Sequence, residues 1–213
     1  LEHWSPDGKQ IAFTARSPGK LWRVYVVAAD GGDAQPVTPG ACNEGDPGWS
    51  GDGNSLVYGC MFGSATPDSM LYLLDVRTHQ VTTLPGSKGL YSPRWSPDGR
   101  YIAALTSDSR KLMLYDFQSR QWKLVAEMFF GYPNWSPDGK YLYFDSVSST
   151  SPTVYRLRVA DSTPQPEAVI TPKGLRRAVG FAGWLGFAPD GSLLLPREVG
   201  TQEIYALDVE PPL

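Results

Sequence analysis

The chain has 213 residues and a formal net charge of −3, and it carries no Lys/Arg cluster, so a nucleic-acid binder with its basic stripe is excluded. No apolar run reaches the roughly 18 residues of a membrane-spanning helix, and two cysteines rule out a disulfide-dense scaffold or a Cys-based zinc site. A 41% hydrophobic share is enough for a sizeable core, and 12% aromatics with 22 Gly and 19 Pro fit many short strands joined by tight turns.

The chain opens on Trp4-Ser5-Pro6-Asp7-Gly8-Lys9. The pattern returns as Trp49-Ser50-Gly51-Asp52-Gly53-Asn54, as Trp95-Ser96-Pro97-Asp98-Gly99-Arg100, as Trp135-Ser136-Pro137-Asp138-Gly139-Lys140 and, worn, as Phe187-Ala188-Pro189-Asp190-Gly191-Ser192. The marker aspartates at 7, 52, 98, 138 and 190 follow one another at intervals of 40 to 52 residues, the period of a four-stranded propeller blade. Pro presets φ at the first corner of a turn, Asp bonds its own backbone, and Gly accepts the positive φ that follows. Burying the Trp contributes up to about 4 to 6 kcal/mol, against about 1 kcal/mol for a turn hydrogen bond. The hexamer therefore reads as a hairpin turn with an indole that fastens the blade, and its Ser and Asp as structural.

Each repeat is read as four strands, a to d from the axis outward. In the first, residues 9–15 alternate as strand b and 20–28 as strand c, Asp30-Gly31-Gly32 turns into a short strand d ending near Thr38, and only Leu1, Glu2 and His3 precede Trp4. Residues 39–47 read as a loop carrying Glu44 and Asp46, with strands at 55–62, 70–76 and 80–84 behind it. The third repeat predicts strands at 91–96, 101–106, 111–117 and 121–125, and the fourth at 132–136, 141–146, 153–159 and 167–171. The fifth starts near Trp184 and runs through 192–196 and 202–209, and a single helical turn is expected near 175–178. The chain thus reads as all-β, one β-propeller domain of about five four-stranded blades at about 1–46, 47–92, 93–132, 133–182 and 183–213, the first and last incomplete. A start in mid-repeat suggests a fragment, and open blade edges invite pairing, including a homodimer.

The Trp-Ser-Pro-Asp-Gly-Lys/Arg repeat, with b strands such as Tyr141-Leu142-Tyr143-Phe144 and c strands such as Ile204-Tyr205-Ala206-Leu207-Asp208, resembles the propeller of the TolB family over essentially the whole chain. More narrowly, Pro93-Arg94-Trp95 through Thr201-Gln202-Glu203-Ile204-Tyr205-Ala206-Leu207-Asp208 resembles the C-terminal propeller repeats of soil-bacterial regulatory proteins. The resemblance implies a non-catalytic platform whose protein or peptide partner sits over the axial opening, no required cofactor, and a periplasmic or otherwise extracytoplasmic location.

In a propeller the innermost strands line the axis, so ligands gather there. The residues just before each Trp are Glu44 and Asp46, Tyr91 and Arg94, Tyr132 and Asn134, and Trp184. Tyr91, Arg94, Tyr132, Asn134 and Trp184 are the candidate partner anchors, since aromatics and Arg dominate interface energetics. Glu44 and Asp46 support an alternative, an axial calcium that polarises a lactone or ester carbonyl, with either carboxylate as ligand or base. Gly48-Trp49-Ser50-Gly51-Asp52 lacks the last Gly of a nucleophile elbow, and its Ser falls in a blade turn. His3 and His79 are the only histidines. His3 is placed near the channel as a partly exposed end residue, His79 in an outer turn. The sequence leaves open whether Cys42 and Cys60 form one bridge or stand as separate thiols.

Overall fold

The computed structural model describes residues 2–61, 66, 68–146, 153–161, 164–170, 185–188 and 190–195. Within them lie eighteen strands and no helix. Four antiparallel four-stranded sheets follow one another along the chain. The first comprises β1 (Glu2–Trp4), β2 (Gln10–Ala15), β3 (Arg23–Ala28) and β4 (Gln35–Pro36), and the second β5 (Glu44–Trp49), β6 (Ser55–Cys60), β7 (Tyr72–Asp75) and β8 (Val81–Thr83). The third holds β9 (Leu90–Trp95), β10 (Tyr101–Thr106), β11 (Lys111–Asp116) and β12 (Gln121–Glu127). The fourth holds β13 (Asn134–Trp135), β14 (Tyr141–Asp145), β15 (Val154–Arg158) and β16 (Glu167–Ile170). A fifth is represented by the hairpin of β17 (Gly186–Phe187) and β18 (Leu193–Leu194). This is the expected propeller of four-stranded blades, with a short innermost strand in the first: β1 has three residues where β5 and β9 have six. The expected helical turn near 175–178, the strand at 202–209 and Trp184 lie outside the described residues.

The motif turn is a repeated hydrogen-bond device. Ser5 Oγ donates to Asp7 Oδ1 at 2.7 Å, the same carboxylate accepts from the Lys9 N–H, and the Gln10 N–H donates back to Ser5 Oγ, with Gly8 at φ 69°. The set recurs at Ser50/Asp52, Ser96/Asp98 and Ser136/Asp138. In the worn copy Ala188 has no hydroxyl, and of the set the Asp190 bond to the Ser192 N–H remains. The device also appears where the motif does not: Thr106, Asp108 and Lys111 repeat it between β10 and β11, with Ser109 at φ 58° in the glycine position.

The core lies between blades, because every strand alternates its two faces. Ala12, Val24 and Val26 of blade one meet Trp49, Leu56 and Leu74 of blade two. In blade three, Ile102 and Ala104 face blade two, whereas Ala103 and Leu105 face Phe130, Trp135 and Leu142 of blade four. Indole N–H groups stitch the same seams: Trp49 Nε1 donates to the His3 carbonyl and Trp135 Nε1 to the Arg94 carbonyl. Two motif tryptophans depart from the fastener expectation. Trp95 bonds Gly99 of its own turn and stacks on Phe117, and Trp4, with no preceding blade against it among the described residues, is 58% exposed.

One further correction concerns the predicted loop at 39–47. Its second half is the innermost strand β5, paired from Glu44↔Cys60 to Trp49↔Leu56. Pro47 is tolerated because the register shifts between Gly45 and Gly48, a bulge that absorbs the missing N–H. Blade three repeats the arrangement at Ser92-Pro93, and both residues before proline have positive φ, 58° at Asp46 and 52° at Ser92. Cys42 and Cys60 form a disulfide that ties the strand's approach to β6, which resolves the alternative the sequence left open.

Candidate functional site

Counting back from each motif Trp gives the axial positions. One residue before it stand His3, Gly48, Arg94 and Asn134, and three residues before it stand Asp46, Ser92 and Tyr132. The bulges at Asp46 and Ser92 accompany the approach of Asp46 to Arg94. Arg94 Nη2 lies 2.7 Å from Asp46 Oδ1, with both side chains under 10% exposed. Burial opposes the Asp46 charge, but the Arg94 guanidinium beside it overcomes that cost and holds the carboxyl below its usual range. Arg94 also donates from Nη1 to the Pro93 carbonyl. Next to the pair, His3 Nε2 is sealed from solvent with no hydrogen-bond partner, although the residue as a whole is only half-buried. Burial, then the Arg94 charge, push its pKa down to about 4 against the opposing pull of Asp46, so the ring is neutral at pH 7.

Beside this cluster, at the end of the axis where the motif turns lie, is a cavity of about 300 Å³ walled by Trp4, Trp49, Trp95 and Trp135 together with His3, Arg94 and Asn134. Its volume is at the lower end of small-ligand sites, whose usual make-up combines apolar and aromatic side chains with a few convergent polar groups. Asn134 Nδ2 donates to the Leu185 carbonyl and so links this wall to the fifth blade.

The structure thus gathers Asp46, Arg94, Tyr132 and Asn134 near the axis, and adds His3 and Ser92, which the sequence reading did not assign. Ser92 was legible: it precedes a proline three residues before a motif Trp, as Asp46 and Tyr132 do. His3 was placed correctly, but its buried Nε2 depends on blade two. Tyr91, expected as an exposed anchor, is 3% exposed, and its hydroxyl meets Ser109 Oγ at 2.5 Å. It belongs to the seam between blades three and four. Tyr132 is half-buried, and burial followed by the charge of Asp46 raises its pKa to about 12. Trp184 lies outside the described residues.

Glu44 departs from the expectation of an open metal ligand. It is 1% exposed, and its two carboxylate oxygens accept the Gly40 and Ala41 N–H groups at 2.7 and 2.9 Å. Its role here is to fold the loop before β5. Among the described residues no three His, Cys, Asp or Glu side chains gather as a metal site.

No family model matches the chain. The Tol-Pal system protein TolB of Francisella tularensis is 33% identical over 91 residues, 42% of this chain and 20% of that protein. The uncharacterized peptidase YuxL of Bacillus subtilis is 35% identical over 54 residues, 25% of this chain and 8% of its own length. Among solved structures, TolB from Acinetobacter baumannii superposes with a TM-score of 0.70 at 23% identity over 91% of this chain and 48% of that one. The matched segments therefore span a fifth or less of these two curated relatives and about half of the solved one. By its repeats, its blades and these relatives, the chain is a β-propeller similar to that of TolB.

Proposed function

We propose that the chain is a non-catalytic platform that holds a protein or peptide partner at its axial opening. The observation that carries this is the indole-walled cavity ending on Arg94 and Asn134, since aromatics and Arg in a desolvated pocket are the usual interface anchors. The relatives named for the Tol-Pal system support a protein partner. The Cys42–Cys60 disulfide supports an extracytoplasmic location, because such bonds persist in oxidising compartments. With Glu44 committed to its loop and Asp46 to Arg94, no feature of the site favours the calcium-assisted lactonase or esterase reading.

The test is a peptide display selection on the immobilised chain, followed by calorimetric titration of the selected peptides against the wild type and against Trp4→Ala and Asn134→Ala. Trp4 is exposed, so its removal leaves the fold intact. At least a tenfold loss of affinity in either variant supports the reading. Selected peptides that bind both variants as well as wild type would place the partner surface elsewhere and overturn it.

A further inference from the structure

The cavity wall has a polarity that the pair behind it hides. Arg94 lines the cavity, whereas its counter-ion Asp46 does not. A group entering from the motif-turn side therefore reaches Arg94 rather than Asp46. Arg94 uses Nη1 toward the Pro93 carbonyl and Nη2 toward Asp46. A guanidinium has five N–H donors in a planar fork, so the described contacts leave donors over. Asn134 likewise engages one donor of its amide with Leu185, and His3 Nε2 stands buried and unpartnered in the same wall. The indole N–H groups of Trp49, Trp95 and Trp135 are already bonded to backbone carbonyls, so these rings offer faces and edges rather than donors.

A cationic ligand would be repelled by Arg94, and a purely apolar one would cover its spare donors without pairing them, a cost of the kind that buried polar groups impose. An anion that fits a planar fork meets both requirements, and a carboxylate has that geometry. We propose that this cavity seats a carboxylate of the partner segment, either its C-terminal carboxylate or an Asp or Glu side chain, against Arg94, with an adjacent apolar side chain against the indoles. The inference rests on the platform reading above and names the group that the platform recognises. The low pKa of His3, set by burial and then by Arg94, agrees with a site where positive charge is felt.

The probes are four short peptides titrated calorimetrically into the intact chain: Gly-Gly-Phe with a free C-terminus, its C-terminal amide, and acetylated Gly-Asp-Phe and Gly-Asn-Phe amides. A C-terminal reader binds the first at least tenfold better than the second, and an acidic side-chain reader binds the third at least tenfold better than the fourth. In Arg94→Lys, which keeps the charge but loses the fork, and in the Asp46→Asn/Arg94→Met double variant, which removes the pair together, the preference disappears while circular dichroism shows the fold retained. Equal binding of acid and neutral peptides by the wild type overturns the proposal, as does a preference that survives both variants or an absence of binding by all four probes. If display-selected peptides lose affinity in Trp4→Ala yet ignore their own carboxylates, the platform stands and this inference alone fails.

Discussion

Asp46 and Arg94 come from different blades and are worth more together than apart. Removing one partner of a buried pair strands the other, at about 3 to 5 kcal/mol. Arg94→Met should therefore lower the urea unfolding free energy by about that much, and the double variant Asp46→Asn/Arg94→Met should recover at least half of the loss, Asn being tolerated at the 58° φ of position 46. His3 carries a second prediction. Its folded pKa, about 4, lies below the ordinary 6.5, so the unfolded chain binds a proton that the folded one refuses. Its contribution is full above pH 6.5 and declines as pH falls toward 4, by up to about 3 kcal/mol at about 1.4 kcal/mol per pKa unit. Unfolding measured across that window should be steeper with pH in the wild type than in His3→Gln.

At the scale of the strand and turn, the motif behaves as its chemistry dictates. Asp138 has its pKa lowered to about 2, first by the Ser136 hydroxyl and then by the Lys140 N–H. Because the folded pKa is depressed, this stabilisation is present above about pH 4 and is lost as pH falls to 2. Ser136→Ala deletes the hydroxyl that donates to Asp138 and accepts from the Tyr141 N–H, and should cost about 1 to 2 kcal/mol at pH 7, with a flatter acid limb than wild type. The b strands and motif turns were legible because period-2 alternation and turn hydrogen bonds are local in the chain; residues 101–106 agree with β10 at both ends. The bulge in β5 was not, since Pro47 reads locally as a loop signal and only pairing with β6 makes the segment a strand. For the same reason Tyr91 could not be separated from Tyr132 by sequence: its burial comes from Ser109 and from blade four.

Across the whole molecule, stability lives in the seams, and the altered second motif shows it. Gly51 stands where the four other copies have Pro, because a Cβ there would run into the Pro97 carbonyl in the next blade's turn. Gly51→Ala, a substitution harmless on an isolated hairpin, should cost about 1 to 3 kcal/mol through the clash between blades, read as a lower thermal midpoint. Sequence comparison of the repeats with one another suggests the opposite, that restoring a side chain at 51 repairs the motif. The axial site follows the same rule. Its residue types were visible in order along the chain, but its ion pair, its sealed imidazole and its cavity exist only where several blades converge.

The two motif indoles that cross seams do so at telling addresses, for Trp49 bonds the carbonyl of His3 and Trp135 that of Arg94, both members of the cavity wall. The backbone of the proposed recognition residues is thus wired to chromophores. A carboxylate drawn onto Arg94 would add negative charge beside rings whose excited states respond to local field, so occupancy should register as a shift or quenching of intrinsic fluorescence. The molecule carries its own optical gauge, with no label required.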